Sequence, residues 1–114
     1  MAFPGTYNFN YYRGDTAQFV ARPKNSVDGS AFDLSGYEGS FIIATVRGGG
    51  GTRYVATAVV NETSNIVTCT IPASLGRSIS EGSYVYDVEI ENGLEVYTLL
   101  TGLITVTDDI AGAV

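Results

Sequence analysis

Gly82-Ser-Tyr-Val-Tyr-Asp-Val-Glu-Ile-Glu-Asn-Gly-Leu-Glu-Val-Tyr-Thr-Leu-Leu-Thr-Gly-Leu-Ile-Thr-Val106 is the stretch that decides the fold of this 114-residue chain. Over residues 84–91 the side chains alternate, with Tyr84, Tyr86, Val88 and Ile90 on one side and Asp87, Glu89 and Glu91 on the other. That period of two is what a half-buried strand requires. Asn92-Gly93 then reverses the chain. Both residues tolerate positive φ, so the pair predicts a two-residue type I′ turn and a second arm antiparallel to the first.

Outward from this hairpin the same grammar repeats. Residues 6–12 and 16–22 read as two strands joined at Arg13-Gly14-Asp15, the second with Ala17, Phe19 and Ala21 on one side and Pro23 as its stop. Residues 25–30 are loop-forming, and Phe32-Asp-Leu-Ser-Gly-Tyr37 mixes apolar anchors with turn formers, so Phe32 and Leu34 are expected to plug one end of the core. Residues 37–47 form a third strand, apolar on both faces over 41–46 as a central strand would be. Gly48-Gly-Gly-Gly51 turns into a fourth strand, 53–60, and residues 61–65 turn into a fifth, 66–71. Pro72 ends that strand, and Leu75 and Ile79, four apart, suit one or two helical turns. Seven short strands and no longer helix predict an all-β, antiparallel two-sheet β-sandwich with a short helical turn near residues 72–79. Residues 1–107 are expected to form the single domain and 108–114 a loose tail.

Composition narrows the chemistry. An apolar fraction of 45% with 14 glycines against 3 prolines suits a turn-rich β domain with its own core. Cys69 is the only cysteine and histidine is absent, so no disulfide, structural metal site or cofactor is expected. Cys69 shares a face with Val67 and Ile71 and reads as a small buried hydrophobe. The net charge is −6, Lys24 is the only lysine, and Arg13, Arg22, Arg47, Arg53 and Arg77 are scattered. Neither nucleic acid nor an anionic membrane is therefore an expected partner, since both need clustered cations. The start of the chain lacks a charged and an apolar leader region, and no apolar run approaches the roughly 18 residues of a membrane span. A soluble protein made in the cytoplasm without a secretion signal is expected.

Each candidate site has a plain alternative. Asp87, Glu89 and Glu91 lie on one strand face about 7 Å apart, a spacing compatible with a calcium or sugar contact and equally with an ordinary hydrated face. Gly48–Gly51 lacks the Lys-Ser or Lys-Thr of a phosphate-binding loop and reads as a hairpin tip. Arg13-Gly14-Asp15 spells an integrin-recognition tripeptide, but glycine followed by aspartate is normal turn chemistry. Asn61-Glu62-Thr63 matches a glycosylation acceptor, and without a secretion signal it means a polar turn. Tyr7, Tyr11, Tyr12 and Tyr54 are candidates for stacking on a sugar ring. In the last strand Tyr97, Leu99 and Leu103 oppose an already apolar face, which predicts either coverage by the N-terminal segment or the Phe32 loop, or a protein interface on that stripe. With no histidine to serve a serine or cysteine nucleophile, catalysis is not expected.

Four segments in order carry a family resemblance: Thr6-Tyr-Asn-Phe followed by Tyr12-Arg-Gly-Asp-Thr16, then Phe32-Asp-Leu-Ser-Gly-Tyr37, then Gly82-Ser-Tyr-Val-Tyr-Asp-Val-Glu-Ile90, then Tyr97-Thr-Leu-Leu-Thr-Gly-Leu-Ile-Thr-Val106. Together they resemble small virion proteins of tailed bacteriophages. They are similar to the N-terminal domain of the baseplate upper protein, an immunoglobulin-like sandwich that attaches fibre or receptor-binding parts to the tail. The resemblance implies a non-enzymatic structural protein located in the virion, in the tail, baseplate or fibre attachment, with other virion proteins as partners and a homo-oligomeric state. Larger members of that family continue into a stalk and a receptor-binding head, neither of which is expected within these 114 residues. A capsid decoration protein and a carbohydrate-binding module for host surface glycans are the alternative readings.

Overall fold

Among the described residues a helical turn and eight strands follow one another as β1 (Gly5–Thr6), β2 (Phe9–Tyr12), β3 (Ala17–Ala21), β4 (Glu38–Ala44), β5 (Arg53–Asn61), β6 (Ile66–Ile71), α1 (Ala73–Gly76), β7 (Gly82–Glu91) and β8 (Val96–Thr107). The computed structural model describes residues 4–25, 27–48 and 50–108. The strand order is β1-β8-β7-β4-β5-β6-β3, with β2 also on β8. One strand makes this a sandwich. Residues 53–56 of β5 pair with β4, and residues 57–61 pair with β6, so β5 leaves one layer and enters the other at Ala56. Gly39 of β4 marks the departure: a Cβ there would lie 3.2 Å from the Ala58 Cβ.

The layer of β1, β2, β8, β7, β4 and the first half of β5 faces a smaller one of β3, β6 and the second half of β5. Between them lie Phe41, Ile43, Tyr86, Val88 and Ile90 from the larger layer and Val67, Cys69 and Ile71 from the smaller, all at most 1% exposed. Leu34 is fully buried at one end of this core, and Phe32 packs edge-on against Tyr97 beside it. At the other end α1 is a single turn following Pro72, and Ile79 behind it is 1% exposed. Tyr84, near the start of β7, donates its hydroxyl to the Ser80 carbonyl at 2.7 Å, the tyrosine corner of immunoglobulin-like sandwiches.

Three local expectations are corrected. First, the strand expected over residues 6–12 is two short strands, and both lie parallel to β8, so the larger sheet is mixed. The break occurs where Tyr7 and Asn8 press on β8: the Tyr7 amide donates to the Thr101 carbonyl, and the Asn8 side-chain oxygen accepts from the Leu103 amide. Gly102 lies directly beneath. A Cβ at Gly102 would sit 2.1 Å from the Tyr7 carbonyl oxygen, so only glycine admits this approach.

Second, Asn92-Gly93 does not form a two-residue type I′ turn. Glu91 faces Val96, so the loop has four residues, 92–95, and only Gly93 takes positive φ, at 91°. Asn92 instead uses its side-chain oxygen to accept from the Leu94 and Glu95 amides, at 3.0 and 2.8 Å. The side chain thus does the work that the backbone of a tighter turn would do. Third, β8 does not keep one alternation along its length. Val88 faces Leu100 while Glu89 faces Thr98, so Leu99 is an extra residue and the facing of the strand switches there.

The Gly102 contact yields a stability prediction. Gly102→Ala should destabilise the fold by about 3 kcal/mol or more in urea denaturation, because the obstructing atom is backbone. Gly50→Ala, where nothing lies within 4 Å, should stay within about 0.5 kcal/mol of the parent.

Candidate interaction surfaces

The polar side chains singled out in the sequence turn out to hold turns. Arg13 donates from Nε to the Ile79 carbonyl at 3.0 Å and from a terminal nitrogen to the Arg77 carbonyl at 2.7 Å, and it pairs with Asp108 at 3.5 Å. Gly14 takes φ of 88°, and the Asp15 amide donates to the Tyr12 carbonyl, so Arg13-Gly14-Asp15 is the linker between the layers. The Asn61 side chain accepts from the Thr63 and Ser64 amides. Glu62 accepts from the Gly36 amide at 2.7 Å, and Asn65, at φ of 54°, accepts from the Leu34 amide. These bonds tie the loop around Phe32 to the β5–β6 turn.

On the outward face of β7, Asp87 accepts from Arg47 at 2.9 Å, and Arg47 also donates to the Thr101 hydroxyl at 2.5 Å. Asp87 is therefore in an ion pair with Arg47, and no group of three potential metal ligands occurs among the described residues. Gly48 accepts from Arg53 through its carbonyl, and Thr45 accepts from the Thr52 amide, which braces the hairpin tip.

The four tyrosines proposed for sugar stacking do not share a face. Tyr11 is 3% exposed and donates to the Asp15 carbonyl at 2.6 Å, and burial raises its pKa. Tyr12 points the opposite way and is 58% exposed. Tyr7 stacks on Phe9 with centroids 5.3 Å apart, and Tyr54 is half-buried, edge-on to Tyr84. The sugar-stacking expectation is thus overturned at Tyr11, because the parallel docking of β2 on β8 turns that ring into the core.

The stripe Tyr97-Leu99-Leu103 is likewise divided. The extra residue in β8 puts Tyr97 opposite Ile90, on the inward side, where it packs against Phe32 and Tyr37 and bonds to Glu95. That bond pushes the Tyr97 pKa up to about 12. Leu99 is 5% exposed, and only Leu103 looks outward, 51% exposed. Coverage by the Phe32 loop accounts for the aromatic end of the stripe.

What Leu103 joins was not singled out from the sequence. Pairing places Leu103 beside Val85, Val85 beside Ala44, and Ile42 beside Val55, all on the outer face of the larger layer. Val55 is 71% exposed, and the band runs across four strands, about 14 Å. Its signal was the run apolar on both faces over residues 41–46, which reads as a doubly covered strand although one of its faces is open. A hollow of about 250 Å³ beside Arg47, Asp87 and Val85 indents this face.

A larger cleft of about 550 Å³ opens between the layers, with Gly5, Tyr7 and Leu100 on one wall and the strand edge from Phe19 to Lys24 on the other. Its walls are mainly apolar, with Arg22 and Lys24 among the lining residues. Cys69 lies elsewhere, wholly inaccessible, and burial pushes its thiol up to about 12.

No family model and no curated protein matches the chain. Among solved structures it is similar to InlP of Listeria monocytogenes, at TM-score 0.51 and 18% identity, over 89% of this chain and 26% of that one. A family 123 glycoside hydrolase from Clostridium perfringens, whose structure concerned glycolipid glycan hydrolysis, aligns at TM-score 0.36 and 14% identity, over 91% of this chain and 23% of that one. The chain thus spans about a quarter of the length of either. The first likeness concerns the fold alone, and the second supports no argument.

The buried hydroxyls and thiol predict alkaline sensitivity. Burial raises Cys69, Tyr86, Tyr84 and Tyr11 above their unfolded values, so the folded state disfavours their anions. Stability from these groups is complete below about pH 9 and falls as pH rises towards the folded values. Cys69→Ala should remove the earliest part of this loss, at most about 1.4 kcal/mol by pH 10, as read from urea midpoints at pH 7 and 10.

Proposed function

We propose that the protein is a non-enzymatic structural component of a tailed phage particle, acting in the tail, baseplate or fibre attachment by protein–protein adhesion. The observation that carries this reading is how the surface is divided. Arg13, Arg47, Asn61, Glu62 and Asn65 are committed to holding loops and layers, whereas Val55 and Leu103 stand exposed on the outer face of the larger layer. Such a surface offers apolar area to another protein rather than reacting groups to a substrate. The order of the four segments resembling small virion proteins supports the same reading, as does an immunoglobulin-like sandwich as a rigid attachment body.

Adhesion of this kind takes its free energy from apolar burial, with Arg47 and Asp87 at the rim setting orientation rather than strength.

Two measurements test the proposal. Phage particles purified from the culture encoding this chain, labelled with antibody against it and imaged in negative stain, should carry label at the tail or baseplate. Label over the capsid shell would replace the tail assignment by decoration, and unlabelled particles would overturn the proposal. Val55→Glu with Leu103→Glu should leave stability within about 1 kcal/mol and cut incorporation into particles about tenfold.

A further inference from the structure

The smaller layer ends in an unfinished edge. β3 is last in the strand order, and among the described residues no strand pairs with its outer side. In constant-type immunoglobulin sandwiches the first strand of the chain occupies that position, beside the second. Here β1 and β2 lie on β8 of the opposite layer, and the place beside β3 is the apolar cleft described above. Within residues 17–21 there is no proline, lysine or bulge, three features that often guard an exposed edge.

The edge is complementary to itself. Ala17, Phe19 and Ala21 face the core and are symmetric about Phe19. Asp15 precedes the strand, while Arg22 and Lys24 follow it, all three exposed and none of them in an ion pair among the described residues. In a chain of net charge −6 with only six basic residues, the cleft rim holds two. Antiparallel pairing of two such edges brings the acid of each copy to the cations of the other; parallel pairing would set like charges side by side.

We propose that β3 is a homophilic docking edge: two copies pair β3 to β3, antiparallel about a two-fold axis through Phe19, and join their smaller layers into one six-stranded sheet. Ala17 of one copy then faces Ala21 of the other, and Gln18 faces Val20. Asp15 lies opposite Pro23, between Arg22 and Lys24 of the second copy. Residues directly opposite share a face, so both cores lie on the same side and the two clefts close against each other. The two-fold operator consumes both edges, so association stops at the dimer. This deepens the adhesion reading by naming one contact and its occupant, and it is measured on the isolated protein, so it can fail while particle labelling succeeds.

Sedimentation equilibrium of the full chain should show the mass rising with concentration from one subunit to two. Gln18→Lys with Val20→Lys puts like charges opposite one another and should weaken association about tenfold or more, with circular dichroism unchanged. Should that variant fail to fold, a charge exchange on exposed positions decides the matter. Asp15→Arg should weaken the dimer, and adding Arg22→Asp and Lys24→Asp should restore it. A single-subunit mass at every concentration, a folded lysine variant that dimerises as the parent does, or a charge exchange that restores nothing would each overturn the proposal.

Discussion

Five aromatic rings hold the two layers together. Phe19, from the smaller layer, lies 5.5 Å from Phe41, 6.1 Å from Tyr86, 5.4 Å from Phe9 and 5.6 Å from Tyr7, mostly edge-on or tilted. Tyr86 closes the cluster, packing on Phe9 and Phe41 and donating its hydroxyl to the Tyr7 carbonyl at 2.5 Å. Each such ring pair contributes about 0.5–1.5 kcal/mol beyond the area it buries, and a single side chain of β3 takes part in four. Because the Tyr86 hydroxyl binds the backbone at Tyr7, the same cluster fixes where the first strand breaks. The Gly102 contact, the parallel docking of β2 and the inward turn of Tyr11 all follow from that one crossing.

The surfaces follow from the same constraint. With β1 and β2 drawn onto β8, the smaller layer keeps, among the described residues, three strands and an open edge. With β5 divided between layers, its first half ends the larger layer and leaves Val55 at the border of an uncovered face. Two surfaces are thus left uncovered among the described residues, the aliphatic band on the larger layer and the outer edge of β3. In the adhesive role proposed above, the rigid core would fix the geometry of docking and the few charges at each rim its orientation.

Much of the architecture was readable from alternation alone. Tyr84, Tyr86, Val88 and Ile90 pointed inward as their period demanded, Cys69 sat among Val67 and Ile71, and Pro72 and Ile79 bounded a helical turn. What eluded the sequence were effects of non-local contact. The bulge at Leu99 is visible only opposite Val88 and Glu89, and it turned an apparent stripe of Tyr97, Leu99 and Leu103 into two inward residues and one outward. The break at Tyr7 depends on Gly102, ninety-odd positions away, and nothing local distinguishes residues 6–12 from a continuous strand. The free edge of β3 is a property of where β1 goes, so residues 17–21 alone could not reveal it. The Asn92 loop failed for a local reason, since the side chain of Asn competes with the backbone for the same amides.

If Phe19 and Tyr86 weld the layers into one cooperative unit, the slowest amides of both layers should open together. Native-state hydrogen exchange across a denaturant series measures this directly. The account predicts that protected amides of β6, in the smaller layer, and of β4 and β7, in the larger, converge on a single opening free energy equal to that of global unfolding. A β6 that exchanges through its own smaller opening, while β4 and β7 stay closed, would contradict it.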